Sequence, residues 1–302
     1  MPEAMVLPHD GLCLEHPPIG GLRPSDTGEI SGIGGAELSY PLGSLAQPVM
    51  GADRCSWLGQ TGVMASFDDG SVSLHYDVEG DGFPVLLIAP GGMRSANELW
   101  DGMPWNPRTA LSGDYQVIGM DQRNAGRSTG PIGAEHGWST YTGDQLAVLD
   151  HLGIERCHVV GMCIGGPYIM GLLTAAPERF ASAVVLQPVG IDDNREAMYE
   201  MFDMWVEMIQ DRHLDMSADD WASFRSNMWD GEFVLTASPE QAATVATPTL
   251  VAKGNDLYHP ESTSRRLAAA MPNATLVEDW KVGEPLAAID TTIKSFLADH
   301  TS

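Results

Sequence analysis

From residue 66 onward, short apolar runs alternate with stretches in which apolar residues recur at helical spacing. The runs Pro84-Val85-Leu86-Leu87-Ile88-Ala89, Tyr115-Gln116-Val117-Ile118-Gly119-Met120, Cys157-His158-Val159-Val160, Ser182-Ala183-Val184-Val185-Leu186 and Thr249-Leu250-Val251-Ala252 predict strands. Their apolar character is close to continuous, as in strands covered on both faces, so the pattern predicts an α/β fold with a mainly parallel sheet. Between them, Thr142 to Leu152 and Pro167 to Ala176 read as helices. The end of the chain reads helix, strand, helix over Ser262 to Met271, Ala274 to Trp280 and Pro285 to Leu297. The alternation stops between 190 and 246, where three helices are predicted instead: Asn194 to Asp211, Ser217 to Trp229 and Ser238 to Thr244. Residues 1 to 65 carry no sustained period and are rich in Gly and Pro, which predicts an irregular extension with enough apolar groups, such as Leu38, Tyr40 and Trp57, to dock. The expected organisation is therefore extension 1–65, core 66–189, helical insertion 190–246 and core 247–302.

One of these junctions carries chemistry. The strand over Cys157 to Met162 runs into Gly161-Met162-Cys163-Ile164-Gly165-Gly166 and then into a helix. Strand, sharp turn and helix with a reactive side chain at the apex is the arrangement of a nucleophile elbow. The apex is Cys163. A thiol ionises more readily than a hydroxyl, and a helix N-terminus favours the thiolate further. A free cysteine is also a common small core residue, so the motif gains weight from what surrounds it.

Composition narrows the partners. The 302-residue chain has 41 acidic and 16 basic residues, a formal net charge of -25. Nucleic acid and anionic membrane surfaces are poor partners for such a surface, and a small molecule is the expected one; a homodimer is left open. The four cysteines, Cys13, Cys55, Cys157 and Cys163, show no metal-site spacing with histidine, and no cofactor or metal is expected. Free thiols, a start without a basic and apolar leader, and no apolar stretch of membrane-spanning length lead to a cytoplasmic expectation.

Taken together the pieces resemble the α/β-hydrolase superfamily, over about residues 66 to 300. Phe67 to Val78 is similar to the opening hairpin, and Pro84 to Gly92 to the third strand with its oxyanion loop. Tyr115 to Ser128 resembles a strand followed by Asp-x-Arg-Gly-x-Gly-x-Ser, and Thr247 to Asp256 the strand and loop that carry the acid. A cysteine at the apex also occurs in dienelactone hydrolases and polyhydroxyalkanoate synthases, and Gly-Met-Cys-Ile-Gly-Gly looks like the latter's box without their histidine pattern.

The resemblance implies an α/β-hydrolase fold in which the 190–246 insertion is a lid, Cys163 the nucleophile and Asp256 the acid. It implies an oxyanion hole from the backbone of Ile164 and of Gly92 or Met93. The lid residues Trp205, Trp229 and Met204 are expected to line an apolar substrate pocket, with Arg94 available for an anionic group. Asp121 and Arg123 match a structural turn.

One part departs from the pattern. The family's histidine follows the last strand, where this chain has Trp280-Lys281-Val282-Gly283, and the only later histidine is His300. His259, three residues after Asp256, is the foremost candidate base, although His259-Pro260 also suits the start of a helix. His136, His213 and Lys281 are weaker candidates. The leading expectation is a cysteine enzyme acting on an ester, thioester, lactone or other activated carbonyl of a small, largely apolar molecule. The alternatives are acyl transfer, a lyase or isomerase reaction that needs no activated water, or a catalytically dead binding protein.

Overall fold

A computed structural model describes residues 62–301. The extension, with Cys13, Cys55 and Trp57, lies outside the described residues apart from its end. The first strand begins at Val63, slightly ahead of the expected start of the core at 66.

An eight-stranded sheet has the order β1-β2-β4-β3-β5-β6-β7-β8. Its strands are β1 (Val63–Asp69), β2 (Val72–Glu79), β3 (Phe83–Ile88), β4 (Tyr115–Met120), β5 (Cys157–Cys163), β6 (Phe180–Pro188), β7 (Thr249–Ala252) and β8 (Ala274–Val277). β2 pairs antiparallel with β1 and β4, and every later pairing is parallel. The helices are α1 (Pro107–Leu111), α2 (Trp138–His151), α3 (Gly165–Ala175), α4 (Arg195–Ile209), α5 (Ala218–Trp229), α6 (Pro239–Ala242), α7 (Glu261–Ala270) and α8 (Gly283–Asp299).

The continuous apolar runs are explained by two cores. Leu86, Ile88, Val159, Val185 and Val251 face a core shared with Leu149 of α2, Ile169 of α3 and Leu267 of α7. The residues between them, Val85, Leu87, Val160, Val184 and Leu250, face a second core with Leu111 of α1 and Ile289, Ile293 and Leu297 of α8. Side chains alternate across a strand, so a strand buried on both faces needs apolar residues at every position.

The strand order reverses at β3: the chain goes from β3 outward to β4, then crosses back to β5 on the other side. Connections leaving neighbouring strands in opposite directions open a crevice at their carboxyl ends. The loop after β3 and the elbow after β5 therefore meet there. The turn after β4 is structural, as expected. Asp121 accepts hydrogen bonds from the backbone of Asn97 (2.7 Å) and Arg127 (2.8 Å). Arg123 forms a buried two-pronged pair with Asp144 of α2, at 2.8 and 2.6 Å.

The insertion between β6 and β7 is helical, as the pattern predicts. On α4, Met198, Phe202, Trp205 and Ile209 are buried, which is one face at three- and four-residue spacing. Ser217 and Ser238 cap α5 and α6, each accepting a hydrogen bond from the backbone three residues on. No described helix is long and apolar enough to cross a membrane.

Candidate active site

Cys163 sits at the last position of β5 with φ 60, the left-handed region that a side chain avoids at a cost of about 1–2 kcal/mol. The following turn is held by close backbone approach. A Cβ on Gly165 would lie 2.8 Å from the Ile88 carbonyl of β3, and one on Gly166 would run into Pro188 of β6. The two glycines let α3 start directly behind the strand, which leaves the Cys163 side chain on the crevice. The thiol borders both hydrophobic cores and remains partly accessible, though protein encloses it deeply.

Burial alone pushes the thiol up. The balance goes the other way, because the positive charge of His259 and the backbone N–H groups of Gly91 and Ile164 hold Cys163 below the usual thiol range. The loop amide that acts on the sulfur belongs to Gly91, the residue before the expected oxyanion donors Gly92 and Met93. Gly91 itself has φ 115 and Gly92 φ 61, so the loop after β3 turns tightly enough to aim the first of these N–H groups back at β5. Gly92 and Met93 follow in a short 3-10 turn, Gly92–Arg94.

His259 is buried, and its Nδ1 lies 2.6 Å from Asp256 Oδ1. The loop builds this contact locally. Asp256 and His259 bond each other's backbone, at 3.3 and 3.1 Å, and Asp256 Oδ1 also accepts from the backbone of Tyr258 and His259, both at 3.1 Å. Pro260 caps α7, which begins at Glu261, so the loop ends before the helix and His259 is left outside it. Burial lowers the imidazole's basicity, but the negative charges of Cys163 and Asp256 outweigh it and lift His259 to about 9. Asp256 is raised by burial and lowered more strongly by His259 and Lys281, so it stays below the usual carboxylate range.

The remaining nitrogen, Nε2 of His259, is buried with no well-aligned hydrogen-bond partner. The group coupled to this ring is the Cys163 sulfur. Each opposes the effect of burial on the other, the imidazole lowering the thiol and the thiol raising the imidazole, without the alignment of a finished hydrogen bond. Resting catalytic pairs often tighten only with substrate present.

Of the weaker candidate bases, His136 and His213 have partners elsewhere. The backbone of Gly133 donates to His136 Nδ1 at 3.1 Å, and the ring pairs with Glu135. His213 packs edge-on against Trp221 in the insertion, where burial lowers its basicity. Lys281 lies in the stretch after β8, Trp280 to Gly283, where the family's histidine is expected. Its Nζ donates to Asn255 Oδ1 at 2.7 Å and lies 3.7 Å from Asp256 Oδ2.

The expected substrate contacts need correction. Trp205 is packed among Phe202, Trp221 and Phe224 inside the insertion, with ring centroids 5.6 to 6.3 Å away. Trp229 is fully buried against Trp138. Met204 is half exposed and Arg94 is exposed. Met201 of α4 covers the loop after β3: a Cβ on Gly92 would lie 2.7 Å from its sulfur. Met201 stands three residues after Met198 and four before Trp205, on the inward face of α4, while Met204 is turned away.

A family model described as the alpha/beta hydrolase fold matches residues 84–247. The chain belongs to the alpha/beta-hydrolase family. A Caulobacter protein provisionally named the carbamate hydrolase RutD is 29% identical over 211 residues, which is 59% of this chain and 78% of that one. A Paraburkholderia xenovorans protein named as a 2-hydroxy-6-oxononadienedioate/2-hydroxy-6-oxononatrienedioate hydrolase is 26% identical over 268 residues, 76% of this chain and 92% of its own. Among solved structures, the enol-lactonase of Burkholderia xenovorans superposes with a TM-score of 0.57 at 22% identity, over 78% of this chain and 100% of its own.

Proposed function

We propose that this chain is a cysteine hydrolase that opens an ester, thioester, lactone or comparable activated carbonyl of a small, largely apolar molecule. The observation that carries the reading is the line Cys163, His259, Asp256: a strained apex thiol held below its usual range, coupled to an imidazole that Asp256 grips at 2.6 Å. The family supports carbonyl chemistry, and relatives named for carbamate and ring-cleavage-product hydrolysis fit a small-molecule substrate.

The roles follow from the charges. The Cys163 thiolate attacks the carbonyl carbon. The oxygen that becomes negative meets the backbone N–H groups of Ile164, at the start of α3, and of Gly92 or Met93, in the loop after β3. His259, protonated, gives its Nε2 proton to the departing alkoxide, thiolate or amine. Neutral His259 then takes a proton from water as that water attacks the thioacyl carbon. Collapse expels the Cys163 thiolate and leaves the imidazolium restored by the water's proton, with the acid released. Asp256 holds the ring through Nδ1, so that Nε2 is the nitrogen that exchanges protons. The family's missing histidine was the reason to favour transfer or lyase chemistry. A base supplied from the β7 loop supports hydrolysis instead.

The test uses p-nitrophenyl acetate and butyrate. Wild type should show a burst of nitrophenol, an acyl group on the Cys163 peptide by mass spectrometry, and one solvent oxygen in the released acid when run in isotopic water. Cys163→Ala should lose all three. Turnover by Cys163→Ala within threefold of wild type, or acylation elsewhere, would overturn the assignment.

A further inference from the structure

We propose that Lys281 is a positioning residue that sets the charge balance of the Asp256–His259 pair, and through it the pH range over which Cys163 is a thiolate. This rests on the reading of Cys163 and His259 given above. The geometry is a clip between two loops. Trp280 Nε1 donates to the Lys253 carbonyl at 2.9 Å, so the loop after β8 grips the first residue after β7. Lys281 grips the next part of that loop, through Asn255 Oδ1 at 2.7 Å and Asp256 Oδ2 at 3.7 Å. The ammonium is well shielded, with a side-chain exposure of 17%, and lies 5.9 Å from the Trp280 ring.

The Asp256 carboxylate is therefore shared. One oxygen serves His259 Nδ1, and the other faces Lys281. The result is a chain of alternating sign: thiolate, imidazolium, carboxylate, ammonium. Among the described residues, no other charged side chain forms an ion pair with His259 or Lys281. The groups facing the ring are Asp256 and the Tyr258 ring from its own loop, and Cys163 from the elbow. With so few charges in a buried setting, the one at Lys281 has a large relative weight. It draws on the carboxylate that would otherwise stabilise the imidazolium alone, and so keeps His259 from becoming too basic to release its proton.

The consequence is readable without a substrate. Alkylation of Cys163 by iodoacetamide follows its thiolate fraction, and a coupled thiol–imidazole pair gives two steps in rate against pH. Removing a positive charge favours protonation of both groups. Lys281→Met should therefore move both midpoints upward by about half to one pH unit, the modest end of what a nearby charge does. Lys281→Arg keeps the charge and should restore the wild-type profile. Melting temperature, followed in parallel, reports any purely structural loss. Lys281→Gln serves in the same way if the methionine variant does not fold.

Unshifted midpoints in the uncharged variant, whatever its stability, would overturn the proposal. So would an arginine variant as shifted as the methionine one. The two readings fail separately. A wild-type profile with one step near the ordinary thiol pKa would remove the Cys163–His259 pair itself. A two-step wild-type profile that Lys281→Met leaves in place would remove only the role of Lys281.

Discussion

At the scale of single residues, the proposed function rests on one proton placed between sulfur and nitrogen. His259 is held by Asp256 and answers to Cys163, so its removal should have two measurable effects. His259→Ala should reduce turnover by roughly two to four orders of magnitude, the worth of general acid–base help. It should also move Cys163 alkylation to higher pH, because the largest cause that opposes burial at the thiol is the His259 charge. Loss of turnover with an unmoved alkylation profile would leave His259 as a base that does not prepare the nucleophile. The sequence showed the apex directly, since Gly-x-Cys-x-Gly-Gly after an apolar run leaves few other structures for a chain to take. It showed His259 only as a candidate. Asp-x-x-His-Pro serves a helix start as well as a loop pair, and only the parallel neighbours β5, β6 and β7 bring that loop beside the elbow. Lys281 was legible as an oddity in the expected histidine position, while its partner, Asn255, gave no signal.

At the scale of elements, α4 is the part of the insertion that meets the turn after β3. Its helical extent was legible from period alone, but its facing was not, because Met and Trp recur all along it. The burial of Met198, Phe202, Trp205 and Ile209 fixes the inward face and leaves Met204 half exposed. Trp205→Ala should behave as a core truncation, losing about 3–5 kcal/mol of stability, and should not act as a change of specificity. Met201→Ala should do the opposite. Its side chain is only partly buried and covers Gly92, so its loss should cost under about 2 kcal/mol while raising rates on butyrate relative to acetate esters. Met204→Ala is the control, with neither property altered. Equal rate changes for both esters in Met201→Ala would mean that α4 packs on the oxyanion loop without shaping the pocket.

At the scale of the whole molecule, two electrostatic effects on stability run in opposite directions as the medium is acidified. The formal charge of -25 falls in magnitude toward the sequence pI of about 4.4, which relieves self-repulsion and stabilises the fold. Against this stands His158, fully buried at the start of β5. It bonds Ser182 Oγ at 2.8 Å through Nδ1 and Thr301 Oγ1 at 2.9 Å through Nε2, joining the sheet to the residues after α8. Burial, with the nearby charges of His300 and Arg156, lowers it to about 4. The unfolded chain, with an ordinary histidine near 6.5, takes up this proton first, so the stability it contributes is complete above about 6.5 and is lost as pH falls toward 4. The full loss is roughly 3 kcal/mol at about 1.4 per unit. Urea melts at pH 7 and pH 4.5 in 0.5 M salt, where surface repulsion is screened within a few ångströms (roughly 4 Å), should therefore show wild type losing on the order of 2–3 kcal/mol that His158→Gln does not lose. The variant starts less stable, since it forfeits a packed ring, but the comparison is of slopes. Parallel pH dependence in the two proteins would show that His158 is already charged in the folded state and that the clamp on Thr301 has no part in acid sensitivity.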